Sequence, residues 1–321
     1  MLLVTPAAGA LQILAYAIAV TVLILVYAYT FGWIERKLIA KMQLRHGPTT
    51  TGKYGMLQNL ADFIKLLSKE HTVPRNADKL LLLASLPLLL SISIFLILLL
   101  PLSPSLSGAN LSLGLLAVFV VLSFMPLIIF VNGFGSSNKF AEISAQRSMI
   151  MLLSYEIPLL LVIASAALLA NSYNISGIVS SQSGRWFLIS MPIGFVAFFI
   201  AMLAELERSP LDLREADSEL IAGWLTDISA PYYSLALFLD YTRMFFGSLV
   251  IAILFLGGWQ GPVLPPLVWL LLKAALISLA VIVVRATMVR MRLDRLLRLG
   301  WLALLPLALL NLIITYILFV A

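Results

Sequence analysis

Apolar residues in this chain occur in long runs that are separated by charged loops. Each run has the roughly twenty residues that a helix needs to cross a bilayer, and eight runs occur, at 10–34, 79–101, 111–132, 149–170, 186–206, 233–256, 264–284 and 299–320. Apolar residues are continuous within a run and do not alternate with polar ones, which favours helices over membrane-barrel strands. The pattern predicts an all-α, polytopic membrane protein of eight transmembrane helices with long cytoplasmic loops.

Positive charge is concentrated on one side of this predicted bundle. If the chain starts outside the cell, the loops at 35–78, 133–148, 207–232 and 285–298 share the inner side and hold nearly all of the 21 lysines and arginines. The opposite loops contain Arg185 as their one charged residue. Positive loops stay in the cytoplasm. We therefore expect a multi-pass protein of the plasma membrane with both termini outside, and the net charge of +6 gives no support to nucleic-acid binding.

Composition limits the classes of function that remain open. Hydrophobic residues make up 62% of the chain and charged residues 11%, whereas a soluble domain has about 25% charged residues. We expect one integral membrane domain over residues 1–321. Cysteine is absent from the sequence, so the chain cannot hold an iron–sulfur cluster through thiolates. We expect it to bind no metal or cofactor itself and other subunits to supply any electrons.

An acidic segment between the fifth and sixth predicted spans is the main candidate for chemistry. Residues 205–219, ELERSPLDLREADSE, hold six of the 15 carboxylates: Glu205, Glu207, Asp212, Glu215, Asp217 and Glu219. If the residues after Pro210 are helical, the carboxylates at 212, 215 and 219 share one face. Like charges in a poorly hydrated site do not all ionise, so some should hold a proton, as a proton relay requires. The alternative is a solvated docking loop, and we expect Glu207 to face solvent.

Three further segments near the inner side carry candidate residues. Met56, Leu57, Leu60, Ile64 and Leu67 recur at helical spacing, which predicts an amphipathic helix that either borders an opening for a lipid-like substrate or anchors the chain on headgroups. Glu156, before Pro158, lies in an apolar run and is a candidate relay site, with pairing to Arg147 as the alternative. Lys273 also interrupts a run, and its role is open between a neighbouring subunit and an internal cavity.

Several segments in the same order give the chain a family resemblance. They are IERKLIAKMQLRHGP, ADFIKLLSKE, SYE, AELERSPLDLREADSELIAGW, GGWQGP and RATMVRMRLDRLLRLGW. With these segments the chain resembles subunit 1 of respiratory complex I and its relatives among membrane-bound hydrogenases. The resemblance implies a subunit, not catalytic alone, that forms part of a quinone chamber and begins an acidic path that couples quinone reduction to proton transport. Quinone is then the substrate, and the iron–sulfur clusters belong to hydrophilic partner subunits on the cytoplasmic face.

The resemblance also assigns residues to roles. It places the quinone chamber and its entrance at Glu35, Arg36, Asp62, Arg208 and Asp212. It places the proton path, which leads to small membrane subunits and antiporter-like subunits, at Glu156, Glu205, Glu215, Asp217, Glu219 and Asp240. It places contacts with partner subunits at Arg285, Arg290, Arg292 and Asp294.

The chain departs from the family pattern within the acidic segment. Glu207 stands where quinone reductases typically have asparagine, and Arg214 stands where they have proline. Leu211 replaces an aromatic residue that can stack on a quinone ring. Two alternatives therefore remain: the same coupling role in a hydrogenase or sulfur-reducing complex without quinone, or a free-standing secondary ion transporter. Transporters of the second kind usually contain repeats, and no convincing repeat occurs in this sequence.

Overall fold

The structure is a bundle of helices. The computed structural model describes the backbone of residues 6–104, 106, 111–214 and 217–319, and the side chains of these residues except 6–13, 217 and 218. The helices are α1 (Pro6–Met42), α2 (Gln58–Leu67), α3 (Lys79–Leu99), α4 (Gly114–Leu122), α5 (Phe124–Gly135), α6 (Lys139–Ala170), α7 (Ile175–Ser181), α8 (Phe187–Ser190), α9 (Pro192–Glu205), α10 (Asp217–Leu220), α11 (Ala230–Phe255), α12 (Pro266–Thr287), α13 (Leu293–Arg298) and α14 (Leu305–Phe319). The described ranges contain no strand, which confirms the all-α prediction.

Seven helical segments are long and apolar enough to cross a membrane. They are Leu14–Met42, Lys79–Leu99, Gly114–Gly135, Lys139–Ala170, Ala230–Phe255, Pro266–Thr287 and Leu293–Phe319. The remaining predicted span, 186–206, corresponds to α9, an apolar helix of 14 residues that follows the single turn of α8. Pro192 begins α9, at a position where its missing N–H removes no helical hydrogen bond. The chain is therefore a multi-pass membrane protein, with seven long apolar helices and the shorter α9 among its described residues.

Several spans, α1 and α6 most of all, extend beyond the predicted boundaries on the side where the charged residues lie. The first span continues as helix to Met42, so Glu35 and Arg36 are helical and not in a loop. The helix α6 begins at Lys139, where the side chain of Asn138 accepts a hydrogen bond from the Phe140 N–H at 3.1 Å and caps the first turn. We call this end of the bundle, formed by residues 35–78, 136–147, 206–214, 217–229 and 285–298, the charged face.

Two helices form the centre of the bundle. The helix α11 packs against α1, α3 and α12, and α6 packs against α5, α9 and α14. In the most apolar window of α11, 78% of the residues are buried, compared with 22% in the last span. Small residues allow close approach, as membrane helices require: a Cβ added to Gly133 of α5 would lie 2.4 Å from the Cβ of Ala145 in α6. The centre positions both helices beneath the charged face.

The acidic segment does not form the predicted helix after Pro210. Leu211 and Leu213 are both buried, at 2% exposure each, and residues two apart point to different sides of a helix because each residue turns by about 100°. Residues 211–214 form an irregular loop that buries both side chains, and of the described residues after Pro210 in this segment only those of α10 are helical. The prediction that Asp212 and Glu219 share a helical face is therefore wrong.

Lys273 stabilises the turn at the end opposite the charged face. Its Nζ donates hydrogen bonds to the carbonyl oxygens of Leu256 at 2.6 Å, Gly258 at 2.9 Å and Gln260 at 2.8 Å. The last carbonyls of a helix have no partner inside the helix, and the ammonium supplies one at the end of α11. Lys273 thus binds the backbone of its own chain, and neither of the two roles left open by the sequence is needed to explain it.

Gly223 holds the acidic loop against the bundle, and we expect its substitution to be destabilising. Its φ is +55°, and an added Cβ would lie 2.0 Å from the carbonyl oxygen of Arg214. Gly223→Ala should lower the melting temperature of the detergent-purified protein by several degrees, because both the strained backbone and the contact are costly. Gly184→Ala is the matched control, since its Cβ meets nothing within 4 Å. Equal melting temperatures for the two variants would contradict this packing.

Candidate functional site

The first group of charged side chains surrounds Glu35 and is called the Glu35 cluster (Glu35, Arg208, Tyr241 and Arg285). Glu35 is 2% exposed. Arg208 Nη1 lies 3.1 Å from its Oε1, Arg285 Nη1 also binds Oε1, and the Tyr241 hydroxyl donates to the carboxylate. The Arg208 guanidinium lies 5.3 Å from the centre of the Tyr241 ring. The cluster joins α1, α11, α12 and the acidic loop, and it carries two positive groups for one carboxylate.

A second ion pair borders the Glu35 cluster on the surface. Arg36 Nη1 donates to Asp62 Oδ2 at 2.6 Å, and Gln58 Nε2 donates to Oδ1 at 3.0 Å. Burial alone would raise the pKa of Asp62, but the hydrogen bonds from Arg36 and Gln58 hold that pKa below its ordinary value. Asp62 belongs to α2, whose apolar side chains Leu57, Leu60, Phe63, Ile64 and Leu67 are exposed. The predicted amphipathic helix is therefore present and bears an outward-facing apolar surface.

The second buried group, the Glu207 cluster, consists of Ser148, Glu207, Arg214, Asp240 and Arg243. Glu207 Oε2 lies 2.5 Å from Arg214 Nη1 and 2.9 Å from Arg243 Nη1, and Ser148 Oγ donates to Oε1 at 2.7 Å. Arg214 Nη2 also lies 3.5 Å from Asp240 Oδ1. Although burial raises the pKa of Glu207, the guanidiniums of Arg214 and Arg243 bring it below its ordinary value.

Glu207 is therefore 8% exposed, and the prediction that it faces solvent is wrong. The sequence placed it in a charged loop, but Arg243 of α11 supplies a buried partner that the loop alone does not reveal. Glu207 and Arg214, the two charged departures from the family pattern, bind each other. The guanidinium of Arg214 also stacks on Trp224 at 4.5 Å from the ring centre.

Glu205 differs from both of these buried acids because its carboxylate lacks a counter-ion. The side chain is 7% exposed, and among the described residues its Oε1 has no hydrogen-bond partner and its carboxylate has no ion pair. A cavity of about 10 Å³, measured as the space open to the centre of a water molecule, lies beside it, which is close to the minimum for one water. The lining includes Ser148, Tyr155, Glu205 and Glu207. A buried carboxyl without a partner favours its protonated form.

Glu156 lies in α6, next to Tyr155 of the cavity. It is half-buried and accepts a hydrogen bond from Ser123 Oγ, at the break between α4 and α5. Its alternative partner from the sequence, Arg147, instead donates to Glu219 Oε2 at 2.7 Å, so the Arg147–Glu156 pair does not form. Glu156 is therefore held by a hydroxyl group of a neighbouring helix and not by an arginine.

The remaining acids of the predicted proton path are more exposed or lie outside the described residues. The Glu219 side chain is 53% exposed, and the hydrogen bond from Arg147 holds the pKa of Glu219 below its ordinary value. The argument for a proton relay assumed carboxylates in a poorly hydrated site, and Glu219 does not lie in such a site. Glu215 and the Asp217 side chain lie outside the described part of the chain. Asp212 is half-buried in the loop, whereas Glu205 is the last residue of α9. Asp240 belongs to the Glu207 cluster.

The residues assigned to partner contacts near the end of the chain differ in what their side chains contact. Arg285 was assigned to partner contacts but binds Glu35 inside the bundle. Arg290 is half-buried, while Arg292 and Asp294 are exposed near the start of α13. The loop contacts the acidic segment through the Met291 N–H, which donates to the Pro210 carbonyl at 3.0 Å. Among the described residues, no group of three or more His, Asp or Glu side chains is arranged to hold a metal ion.

Reading the sequence gave no role to Arg243 and Tyr241 of these clusters, nor to Tyr155 of the cavity. Arg243 had a usable signal, because an arginine within an apolar run needs a buried partner. Tyr241 and Tyr155 had none, since aromatic residues are common in membrane spans. The Tyr155 hydroxyl donates to the Leu296 carbonyl at 3.0 Å and so links the cavity wall to α13.

The Arg214 side chain is expected to stabilise the acidic loop far more than Arg147 does. Arg214→Gln leaves a buried acid with less compensation, and breaking a buried ion pair costs about 3–5 kcal/mol. Arg147→Gln is the control, because an exposed pair contributes about 0–1 kcal/mol. Thermal unfolding and protease cleavage within residues 206–225 measure the difference. Similar behaviour of the two variants would show that the buried network does not hold the loop.

Comparison with known proteins agrees with this architecture. The family model described as NADH dehydrogenase matches residues 14–316. The chain is 36% identical over 318 residues to an NADH-quinone oxidoreductase subunit from Syntrophobacter fumaroxidans, covering 96% of this chain and 96% of the relative. It is 38% identical over 312 residues to an NADH-quinone oxidoreductase subunit from a Geobacillus species, covering 94% and 93%. It is also 39% identical over 300 residues to an F(420)H(2) dehydrogenase subunit from Methanosarcina mazei, covering 87% and 85%.

Proposed function

The chain belongs to the NADH dehydrogenase family, and from this premise we propose that it forms one wall of a quinone chamber and begins a proton path. It is a membrane subunit of a complex I-like oxidoreductase and is not catalytic alone. Its relatives are named for two electron donors, NADH and F(420)H(2). Since the named donor varies among the relatives and two of those cited are named for quinone, we assign to this chain the quinone side of the reaction.

The Glu35 cluster supports the chamber. Two guanidiniums, of Arg208 and Arg285, converge on one buried carboxylate beside the Tyr241 ring. The two guanidiniums favour a substrate that gains negative charge as it accepts electrons. The two quinone oxygens accept hydrogen bonds, and Glu35 keeps the arginines in place. Arg36 and Asp62, with the exposed apolar surface of α2, form the entrance from the lipid phase.

The proposed proton path begins at Glu205. This residue is the buried carboxyl without a counter-ion among the described residues, and it lines a cavity with Tyr155 and Glu207. Quinone reduction consumes two electrons and two protons, and it therefore changes the charge near Arg208. This change acts on the carboxyl of Glu205 through the short acidic loop. The path then continues through Glu156 and Asp240, and through Glu215, Asp217 and Glu219 where partner subunits exclude water.

The partners and orientation follow from the surface charges. We place the charged face in the cytoplasm of a plasma-membrane protein with both termini outside. Hydrophilic subunits that hold iron–sulfur clusters dock on Arg290, Arg292 and Asp294. Small membrane subunits and antiporter-like subunits adjoin the helices that carry Glu156 and Glu205. The chain itself binds no iron–sulfur cluster.

Photolabelling tests the chamber. A quinone analogue that carries an azido group, added to the purified whole complex, should label peptides of this chain near Glu35 or Arg285. Excess unlabelled quinone should abolish the label, and Arg185, at the opposite end of the bundle, gives the control peptide. Labels restricted to other subunits, with quinone turnover intact, would place the chamber elsewhere. Turnover with hydrogen evolution and no quinone would support the alternative complex.

A further inference from the structure

Glu156 is held by a hydroxyl group at a break in a neighbouring membrane span. The span Gly114–Gly135 is interrupted at Ser123, where α4 ends and α5 begins. Pro126, three residues later, has no N–H to donate to the Leu122 carbonyl, and this missing hydrogen bond accounts for the break. Glu156 Oε1 accepts a hydrogen bond from Ser123 Oγ, its one hydrogen-bond partner within the described residues.

The position leaves Glu156 few other ways to satisfy its charge. A carboxylate within a membrane span normally needs a partner, and Arg147, the one arginine of α6, binds Glu219 instead. The charges of Glu156 and Glu205 also interact. A partner that suits both the ionised and the protonated form of Glu156 is therefore a requirement if this acid is to pass a proton.

The Ser123 hydroxyl lies within hydrogen-bond distance of two acceptors. One is Glu156 Oε1, and the other is the carbonyl oxygen of Phe119, at 3.1 Å. A hydroxyl has one hydrogen to donate and two lone pairs that accept, so Ser123 donates to one of these groups at a time. The Phe119 carbonyl also accepts the backbone N–H of Ser123, at 3.1 Å, and therefore keeps a partner when the hydroxyl hydrogen turns away.

These two donor positions match the two forms of Glu156. An ionised carboxylate only accepts hydrogen bonds, so Ser123 then donates to Oε1 in a charge-assisted hydrogen bond. A protonated carboxyl has an O–H to donate, which Ser123 Oγ can accept while its own hydrogen points to the Phe119 carbonyl. Only the hydroxyl group rotates between these arrangements, and no helix has to move.

We propose that Ser123 is a positioning residue that holds Glu156 in both of its protonation states. This role rests on the proposed function, in which Glu156 belongs to the proton path. When a proton reaches Glu156, an O–H bond forms at Oε1 and donates to Ser123 Oγ, and the serine hydrogen turns to the Phe119 carbonyl. When the proton leaves, that O–H bond breaks and the serine hydrogen returns to Oε1. Ser123 keeps its own hydrogen throughout, so no proton passes through the serine.

Substitutions at Ser123 in the whole complex test this role through turnover. Ser123→Ala should reduce proton-coupled turnover by about tenfold, the change in an equilibrium that the loss of one hydrogen bond to a charged group produces. Ser123→Thr keeps the hydroxyl and should restore most of the turnover. Ser165→Ala is the matched control, because Ser165 Oγ also donates to the carbonyl four residues earlier, that of Leu161 at 2.9 Å, but contacts no acid among the described residues.

Infrared difference spectra, reduced minus oxidised, separate this role from a merely structural one. The carboxylic acid C=O band that Glu156→Gln removes should move to higher wavenumber in Ser123→Ala, because the carboxyl loses its hydrogen bond. The band should return to its wild-type position in Ser123→Thr and stay there in Ser165→Ala. A serine that only supports the helix break would lower the melting temperature without moving this band.

An unmoved band in Ser123→Ala would overturn the proposal, as would the absence of any band that Glu156→Gln removes. If Ser123→Ala does not assemble, Ser123→Val, which has the shape of threonine without the hydroxyl, takes its place against Ser123→Thr. Glu156→Gln distinguishes the two levels of the account. If it retains full coupling, the proposed path through Glu156 fails; if it loses coupling while the band does not move in Ser123→Ala, only the role of Ser123 fails.

Discussion

Glu205→Gln is expected to leave the complex assembled and to reduce proton-coupled turnover by at least about tenfold. Glutamine has nearly the same shape as a protonated glutamate, so it fills the same site beside the cavity. It cannot release a proton, and a path that begins at Glu205 is therefore interrupted. Membrane vesicles that contain the variant complex allow electron transfer and acidification of the lumen to be measured together.

Glu70→Gln is the matched control for this experiment. Glu70 lies in the loop after α2 and is exposed, so the same chemical change should alter coupled turnover by less than about twofold, as is usual for substitutions away from structural features. Equal and mild effects at positions 70 and 205 would indicate that the acidic segment is a docking surface, the alternative that the sequence left open.

Glu35→Gln is expected to reduce quinone-dependent electron transfer by at least about tenfold and to destabilise the protein. Arg208 is 8% exposed, and the loss of its carboxylate partner breaks a buried ion pair, at about 3–5 kcal/mol. The cluster also loses the group that orients Arg285. Assays of the purified complex with a soluble quinone should show a higher KM together with a lower kcat, and thermal unfolding should show the loss of stability.

Glu35→Asp and the distant Glu70→Gln distinguish a chamber role from a general loss of stability. Aspartate keeps the charge and should recover part of the activity, while Glu70→Gln should retain the wild-type KM. A Glu35→Gln complex with wild-type KM and kcat, but with a lower melting temperature, would contradict the assignment of the Glu35 cluster to the chamber.

The sequence was sufficient for features that depend on composition and local pattern. Twenty-residue apolar runs have few alternatives to spanning helices, so the all-α membrane fold was predictable, as was the exposed apolar stripe of α2. The segments of the family resemblance contain Glu35, Arg208 and Arg285 of the first cluster and Glu207 and Arg214 of the second. Glu35 and Arg208 were assigned to one chamber, and the structure brings them together at 3.1 Å.

The sequence could not show which charged residues form ion pairs when they are distant from each other in the chain. Glu207 looks like a loop residue until Arg243, 36 positions later, is placed beside it. Arg147 is close to Glu156 in sequence, yet the fold turns it toward Glu219. The acids after Pro210 would share one face if the loop were helical, but burial of Leu211 and Leu213 gives residues 211–214 a different conformation. Long-range pairing of this kind depends on how helices pack and not on local propensity.

Infrared difference spectra of the complex, reduced minus oxidised, test the central claim most directly. We expect a carboxylic acid C=O band that changes during quinone reduction, that shifts in D₂O, and that is missing in Glu205→Gln but kept in Glu70→Gln. Such a band would show that Glu205 holds a proton in one state and loses it in another. A spectrum that is the same in wild type and Glu205→Gln would contradict the account.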